Sequence, residues 1–366
     1  IIVQDNGNIC GAGSRVNIKG QVYTEEKVNI SDTKVNIDGG ETEDYLMTNI
    51  DGQFGFTDLA MYNNYELQPI KDTDHSEGIT TLDLVLIQRH ILGIKQLESP
   101  YKLIAADVNN SQKITAADLV ELRKLILGIQ PTFSNNTSWR FVDASFTFND
   151  KENPWPFVER LNYEGLSTSM ENSDFIAIKI GDVNGTVSQN IQGKPTLRSN
   201  DKLQLYTEDI DVKANELITV PVKVENLDNI IGMQWTLELS ADMDYIGFES
   251  VDLPLRNEHL AIIDKNGKKY LTLSYDDMDG VSLPKGSVLF NIICRPFTNT
   301  KLSDLISMNE AIVSAEAYTM DEITTDIDFS FRSLITEGVS FIMQNHPNPF
   351  KDETTVHFNL QEKSPV

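Results

Sequence analysis

Cysteine is almost missing: 366 residues carry two, Cys10 and Cys294. A disulfide framework is thereby excluded as the source of stability, which must come from packed cores. In an oxidising compartment the two thiols can pair with each other, or Cys10 with a thiol upstream. Histidine is sparse, five residues scattered at 75, 90, 259, 346 and 357. There is no Gly-x-Ser-x-Gly, His-Glu-x-x-His, phosphate-binding loop or dinucleotide fingerprint, so no catalytic set is expected and the chain does not read as an enzyme. No apolar run approaches the roughly 18 to 20 residues a membrane-spanning helix needs, so membrane insertion is not expected. Positive charge is short as well: 30 Lys and Arg against 55 Asp and Glu, a net charge of −25. That balance excludes nucleic acid and anionic membrane surfaces as partners. The chain opens on Ile1 with neither an initiator Met nor a signal-like stretch, which reads as a mature product or a fragment.

What is present is ordinary for folded protein: 40% hydrophobic and 23% charged residues. At this length one core is too small, and roughly two to four domains are expected. The chain is organised around a duplicated stretch. Asp72-Thr73-Asp74-His75-Ser76-Glu77-Gly78-Ile79-Thr80-Thr81-Leu82-Asp83 opens an apolar helix pattern that ends at Leu92-Gly93-Ile94. Asp107-Val108-Asn109-Asn110-Ser111-Gln112-Lys113-Ile114-Thr115-Ala116-Ala117-Asp118 opens a second, ending at Leu127-Gly128-Ile129.

Each twelve-residue loop sets oxygen-bearing side chains at offsets 1, 3, 5, 9 and 12. A hard cation such as Ca²⁺ wants six to eight oxygens at about 2.3–2.6 Å, and such a loop can wrap it with the carbonyl at offset 7 added. The expected ligands are Asp72, Asp74, Ser76, the Gly78 carbonyl, Thr80 and Asp83 in loop one. In loop two they are Asp107, Asn109, Ser111, the Lys113 carbonyl, Thr115 and Asp118. Helix capping boxes alone would account for Thr80 with Asp83 and for Thr115 with Asp118. They would not account for the acidic pairs at offsets 1 and 3, repeated in register. Two Ca²⁺ are expected, with loop two the weaker because it offers two carboxylates against three.

This pair resembles a dockerin, the calcium-loop-helix module that docks into cohesin domains. The resemblance covers residues 72–130. It implies contact with a cohesin through the residues before the last ligand, here Thr81 and Leu82 in one repeat and Ala116 and Ala117 in the other. Glu77 and Gln112 stand where the loop pattern usually has glycine. The helices are apolar nearly all round, so something beyond each other must cover them.

Around this pair the chain reads as mainly β and multidomain, two β-sandwiches about a small helical unit. Residues 1–14 read as the end of an upstream domain or a joint. Residues 15–71 alternate with period two around Asp-Gly turns, among them a hairpin at Asp51-Gly52, and resemble a prealbumin-like stalk sandwich. Residues 131–186 concentrate Trp139, Phe141, Phe146, Phe148, Trp155 and Phe157. They are expected to lie over the helices, with a sugar-stacking platform as the alternative. Asp182 and Asn184 form half a calcium loop, or else a β-turn. Residues 187–200 read as a linker.

Residues 201–332 alternate again, with a hairpin turn at Asp264-Lys265-Asn266-Gly267, and their run of phrases resembles a cohesin. The other reading there is a carbohydrate-binding sandwich using Trp235, Tyr270 and Tyr275. Residues 333–341 are a second joint. In 342–366, Asn345-His346-Pro347-Asn348-Pro349-Phe350 before an alternating run resembles the start of a type IX secretion sorting domain of Bacteroidota. These resemblances imply a non-catalytic, calcium-stabilised scaffold at the cell surface. Its partner would be a cohesin-like domain of another copy or of a scaffold protein, or its own, with head-to-tail filament growth where copies link. A glycan-binding or adhesive ectodomain is the alternative.

Overall fold

In the computed structural model the described residues begin with five strands: β1 (Arg15–Tyr23), β2 (Lys34–Gly39), β3 (Thr42–Met47), β4 (Gln53–Ala60) and β5 (Tyr65–Ile70). The structure describes residues 15–40, 42–193, 198–199, 201–333, 341–342 and 358–359. Three helices follow, α1 (Thr81–Ile91), α2 (Pro100–Ala106) and α3 (Ala116–Ile126). Then come β6 (Trp139–Asp143), β7 (Leu161–Tyr163), β8 (Phe175–Lys179) and α4 (Thr186–Gln192).

The strands after the helices return to the sheets before them. One sheet runs β4-β1-β8-β6 and the other β3-β2-β5-β7. The boundary expected at residue 71 therefore falls inside a unit, and the helices are an insertion between β5 and β6. Alternation drives this pairing: Val16, Ile18, Val22, Val35, Ile37, Phe54, Phe56, Leu67, Trp139, Phe141 and Phe175 share one core. The 131–186 segment thus supplies strands to both sheets as well as covering the helices. Its Phe146 and Phe148 rings meet edge to face, and Phe148 meets Tyr101 of α2 in the same way. Trp139 and Phe141 are buried, so they form no sugar platform.

The Asp51-Gly52 turn joins no hairpin. β3 pairs with β2, whereas β4 pairs with β1 in the opposite sheet. The reason is the close approach of Gly52 to β1, where a Cβ would lie 2.3 Å from the Val22 carbonyl oxygen. The expected linker at 187–200 opens as helix α4, with Val187 and Ser188 buried.

The second all-β unit contains β9 (Leu203–Asp209), β10 (Asp211–Val212), β11 (Ile218–Val224), β12 (Leu227–Leu239), β13 (Met243–Ser250), β14 (Leu260–Lys265) and β15 (Lys268–Leu283). It continues with β16 (Val288–Pro296), β17 (Thr300–Lys301), β18 (Ile306–Asn309), β19 (Glu316–Thr319) and β20 (Thr324–Ser333). Ten strands form one sheet, nine along the path β13-β16-β11-β9-β20-β19-β12-β15-β14 and the tenth, β18, beside β12. Its two halves face each other across one core, where Trp235 of β12 stacks on Phe290 of β16 with ring centroids 6.2 Å apart. Asn266 and Gly267 both take positive φ between β14 and β15, the two-residue hairpin legible from sequence. Trp235, Tyr270 and Tyr275 are all buried. The carbohydrate reading loses its platform because these aromatic positions point inward.

β21 (Phe341–Ile342) pairs with β22 (Phe358–Asn359). The sorting-motif residues 345–350, like Cys10, lie outside the described residues. Cys294 is free and buried.

The helices form where their caps and apolar faces predict. Thr80 with Asp83, and Thr115 with Asp118, make reciprocal capping boxes. Gly93 and Gly128 close α1 and α3 at φ +70 and +75. A side chain at Gly128 would also strike Ile312 of the second unit at 2.7 Å. Helix α2 starts on a local signal of its own, Ser99 as cap with Pro100 at the first turn. The helical core takes Val142, Ile178 and Ile180 from the first unit and Ile231 and Tyr318 from the second. The apolar helices are covered on both sides by their own chain.

Candidate metal loops and the seam between modules

Loop two, residues 107–118, turns its oxygens inward. Asp107 Oδ1 accepts from the Ser111 N–H at 2.8 Å and Oδ2 from the Gln112 N–H at 2.8 Å. Asp118 Oδ1 accepts from the Asn109 N–H at 3.0 Å, and Oδ2 from the Thr115 N–H at 2.8 Å. The Ser111 hydroxyl donates to the Lys113 carbonyl at 3.1 Å. Gln112 adopts φ +63 where glycine is usual, and its N–H bond to Asp107 holds it there. Asn109 Oδ1 is buried and accepts no hydrogen bond. Burial, and then the charge of Asp107, push the Asp118 carboxyl above its ordinary range. An orphaned acceptor beside two carboxylates that repel each other is what a divalent cation relieves, so the loop-two residues fit calcium.

Loop one, residues 72–83, is wired differently. Asp72 Oδ1 accepts from the Ser138 N–H at 2.7 Å and from His75 Nε2 at 3.0 Å. His75 is buried on Phe133, takes its N–H on Nδ1 at 3.3 Å, and is held below its ordinary pKa by burial. Asp83 keeps its cap on Thr80 through Oδ2 at 2.9 Å. Its Oδ1 instead accepts from the N–H groups of Val183 at 2.9 Å and Asn184 at 3.2 Å. Burial, and then Asp182, raise the Asp83 carboxyl well above the usual range. Asp74 and Ser76 are exposed, and Gly78 packs against Val187.

Into this loop reaches Lys179. Its Nζ donates to the Asp74 carbonyl at 2.7 Å, the His75 carbonyl at 2.9 Å and the Ser138 hydroxyl at 2.7 Å. Burial draws it down to about 8, against the pull of Asp182, Glu77, Asp74 and Asp72. Among the described residues no three His, Cys, Asp or Glu side chains gather as a metal site, although three of the ligands expected in loop one are carboxylates. Asp72 and Asp83 are drawn to different partners, Ser138 and His75 for the one and Thr80, Val183 and Asn184 for the other, while Asp74 is exposed. Lys179 and Ser138 could not be assigned from loop spacing, because they lie more than fifty residues beyond it.

Asp182 and Asn184 serve as helix caps. Asp182 accepts from the N–H groups of Gly185 at 2.8 Å, Thr186 at 3.0 Å and Val187 at 2.8 Å. Asn184 Oδ1 takes the Thr186 N–H at 2.9 Å and its hydroxyl. Burial still pushes Asp182 up to about 6. These oxygens are taken by the backbone at the start of α4.

The second feature is a seam between the helices and strands β12, β15 and β19. Thr81 is fully buried there: its N–H donates to Gln234 Oε1 at 2.7 Å, its hydroxyl to the same oxygen at 2.9 Å, and Ser274 Oγ lies 2.8 Å away. Leu82 is buried too. Arg123 of α3 donates to Asp276 at 2.6 Å, and the Thr272 hydroxyl to the Leu127 carbonyl at 2.8 Å. Arg89 and Lys95 both reach Glu322. Ala116 and Ala117, the corresponding positions of the second repeat, are exposed. Gln234 and Ser274 carry no sequence signal, being polar residues within apolar strands.

His259 sits at the edge of this seam, buried against Tyr275, with Arg123, Arg256 and Glu258 about it. Burial first, then the two arginines, lower its pKa to about 4. In the unfolded chain it titrates near 6.5, so the unfolded state binds the proton first. Stability is complete above about pH 6.5 and falls toward pH 4, by about 2–3 kcal/mol from this group. Denaturation at stepped pH should show that slope in the native chain and its loss in His259→Phe.

Residues 70–127 match the dockerin type I domain family. No curated protein matches the chain. Similar solved structures include a type I cohesin–dockerin complex of Clostridium thermocellum, at 13% identity and a TM-score of 0.30 over 38% of this chain and 99% of that one. A non-cellulosomal cohesin of Archaeoglobus fulgidus shares 18% identity, at a TM-score of 0.24 over 37% and 94% of the two chains. The solution structure of CaCohA2 from Clostridium acetobutylicum shares 11%, at 0.29 over 38% and 95%.

Proposed function

We propose that this chain is a non-catalytic assembly module of an exported surface protein, with a calcium-stabilised dockerin-like unit seated on its own second sandwich. The observation that carries this is the burial of Thr81 between Gln234 and Ser274. Those are contacts of the kind a dockerin makes with a partner, here formed within one chain. The dockerin type I match supports calcium, and the unsatisfied Asn109 oxygen supports its place in loop two. Dockerins partner cohesins, and the second repeat leaves Ala116 and Ala117 open to a partner of that kind. Surface export by the type IX route rests on the Asn345–Phe350 motif and the acidic composition.

A head-to-tail filament would use the same seam, exchanged between copies. Light scattering and small-angle X-ray scattering of the whole chain with calcium separate the two. A closed monomer whose scattering does not change with concentration is expected. Chains that lengthen with concentration would show exchange instead and refute the closed form.

A further inference from the structure

We propose that the Lys179 ammonium closes the first acidic loop in place of a metal ion, so that the chain takes up one calcium and not two. The count of one rests on the loop-two reading above; the metal-free state of loop one does not. A loop of this spacing turns carbonyls and carboxylates toward a common point and needs a cation there. In loop two that need is open at Asn109 Oδ1. In loop one it is met. All three donors of the Lys179 ammonium are used, on two carbonyls of the loop and on Ser138.

The cation is delivered by a rigid element. Lys179 ends β8, and its backbone is in register with Trp139 of β6. The carboxylate that should complete the metal shell has meanwhile turned away. Asp83 Oδ1 is taken by two N–H groups of the turn just beyond β8. A divalent ion entering loop one would meet a fixed ammonium and lack its offset-12 ligand, and the repulsion is strong at a buried site. In loop two the Lys113 side chain is exposed, and the Arg140 guanidinium donates to Asn110 Oδ1 at 2.6 Å; among the described residues no Lys or Arg is bonded to Asp107 or Asp118, whose oxygens take loop N–H groups.

The test is native mass spectrometry of the intact chain across a calcium titration, with hydrogen exchange in calcium and in chelator. One bound ion is expected, lost in Asp107→Asn/Asn109→Ala. Protection of residues 72–80 is expected to be indifferent to chelator, while that of 107–118 falls. Lys179→Met should lose protection at 72–80 whether or not calcium is present. Two ions per chain, or one ion that survives Asp107→Asn/Asn109→Ala, overturns the proposal. Full protection of 72–80 in Lys179→Met overturns it as well. If the native chain binds no calcium, the loop-two reading fails, while chelator-indifferent protection lost in Lys179→Met still supports the lysine closure.

Discussion

Thr81→Arg is expected to lift the helical unit off the second sandwich. Thr81 is 0% exposed, and its three polar contacts reach Gln234 and Ser274, themselves buried. Arginine cannot fit between Gly232 and the helix, where even a Cβ on Gly232 would lie 3.2 Å from the Thr81 methyl. The substitution would strand two buried polar groups at about 1–3 kcal/mol each and add a buried charge with no partner. A total of about 4 kcal/mol or more is more than the seam can absorb while staying shut. The expected readout is a larger radius of gyration with helix content retained. Ala116→Arg is the matched control: that position is exposed, and a surface change there should stay within about 0.5 kcal/mol. Equal behaviour of the two variants would sink the seam as the contact that organises the molecule.

Chelator should produce the other large effect. A ligand that binds only the folded state stabilises it by about 4 kcal/mol at a thousandfold excess over Kd. In loop two the ion would also satisfy Asn109 Oδ1 and relieve the repulsion between Asp107 and Asp118. Thermal melts in calcium and in chelator should therefore differ by several degrees. Asp118→Ala should melt early in both and show no difference between them, because it removes a ligand and the Asp118 half of the α3 capping box together. Asp72→Ala should leave the calcium response intact, since Asp72 is committed to Ser138 and His75. A calcium response that vanishes in Asp72→Ala and survives in Asp118→Ala would place the ion in the wrong loop.

The mainly β, multidomain character, the helical pair and its caps, and the Asn266-Gly267 hairpin could all be read along the chain. Each follows from period, cap chemistry or turn residues within a dozen positions. The repeat pattern likewise nominated both loops, since alternate oxygens in register are a local property. What each loop does with those oxygens is not local. Loop one differs from loop two because strand pairing brings Lys179 and Ser138 to it, and because the 183–184 turn draws Asp83 aside. The same logic governs the domain boundaries. The return of the 131–186 segment to the first sandwich depends on β7 pairing with β5 and β8 with β1, partners more than ninety residues away, and alternation along a strand does not say which strand lies beside it. The burial of Thr81 and the exposure of Ala116, equivalent positions in sequence, were decided only when one helix met the second sandwich and the other turned its first residues to water.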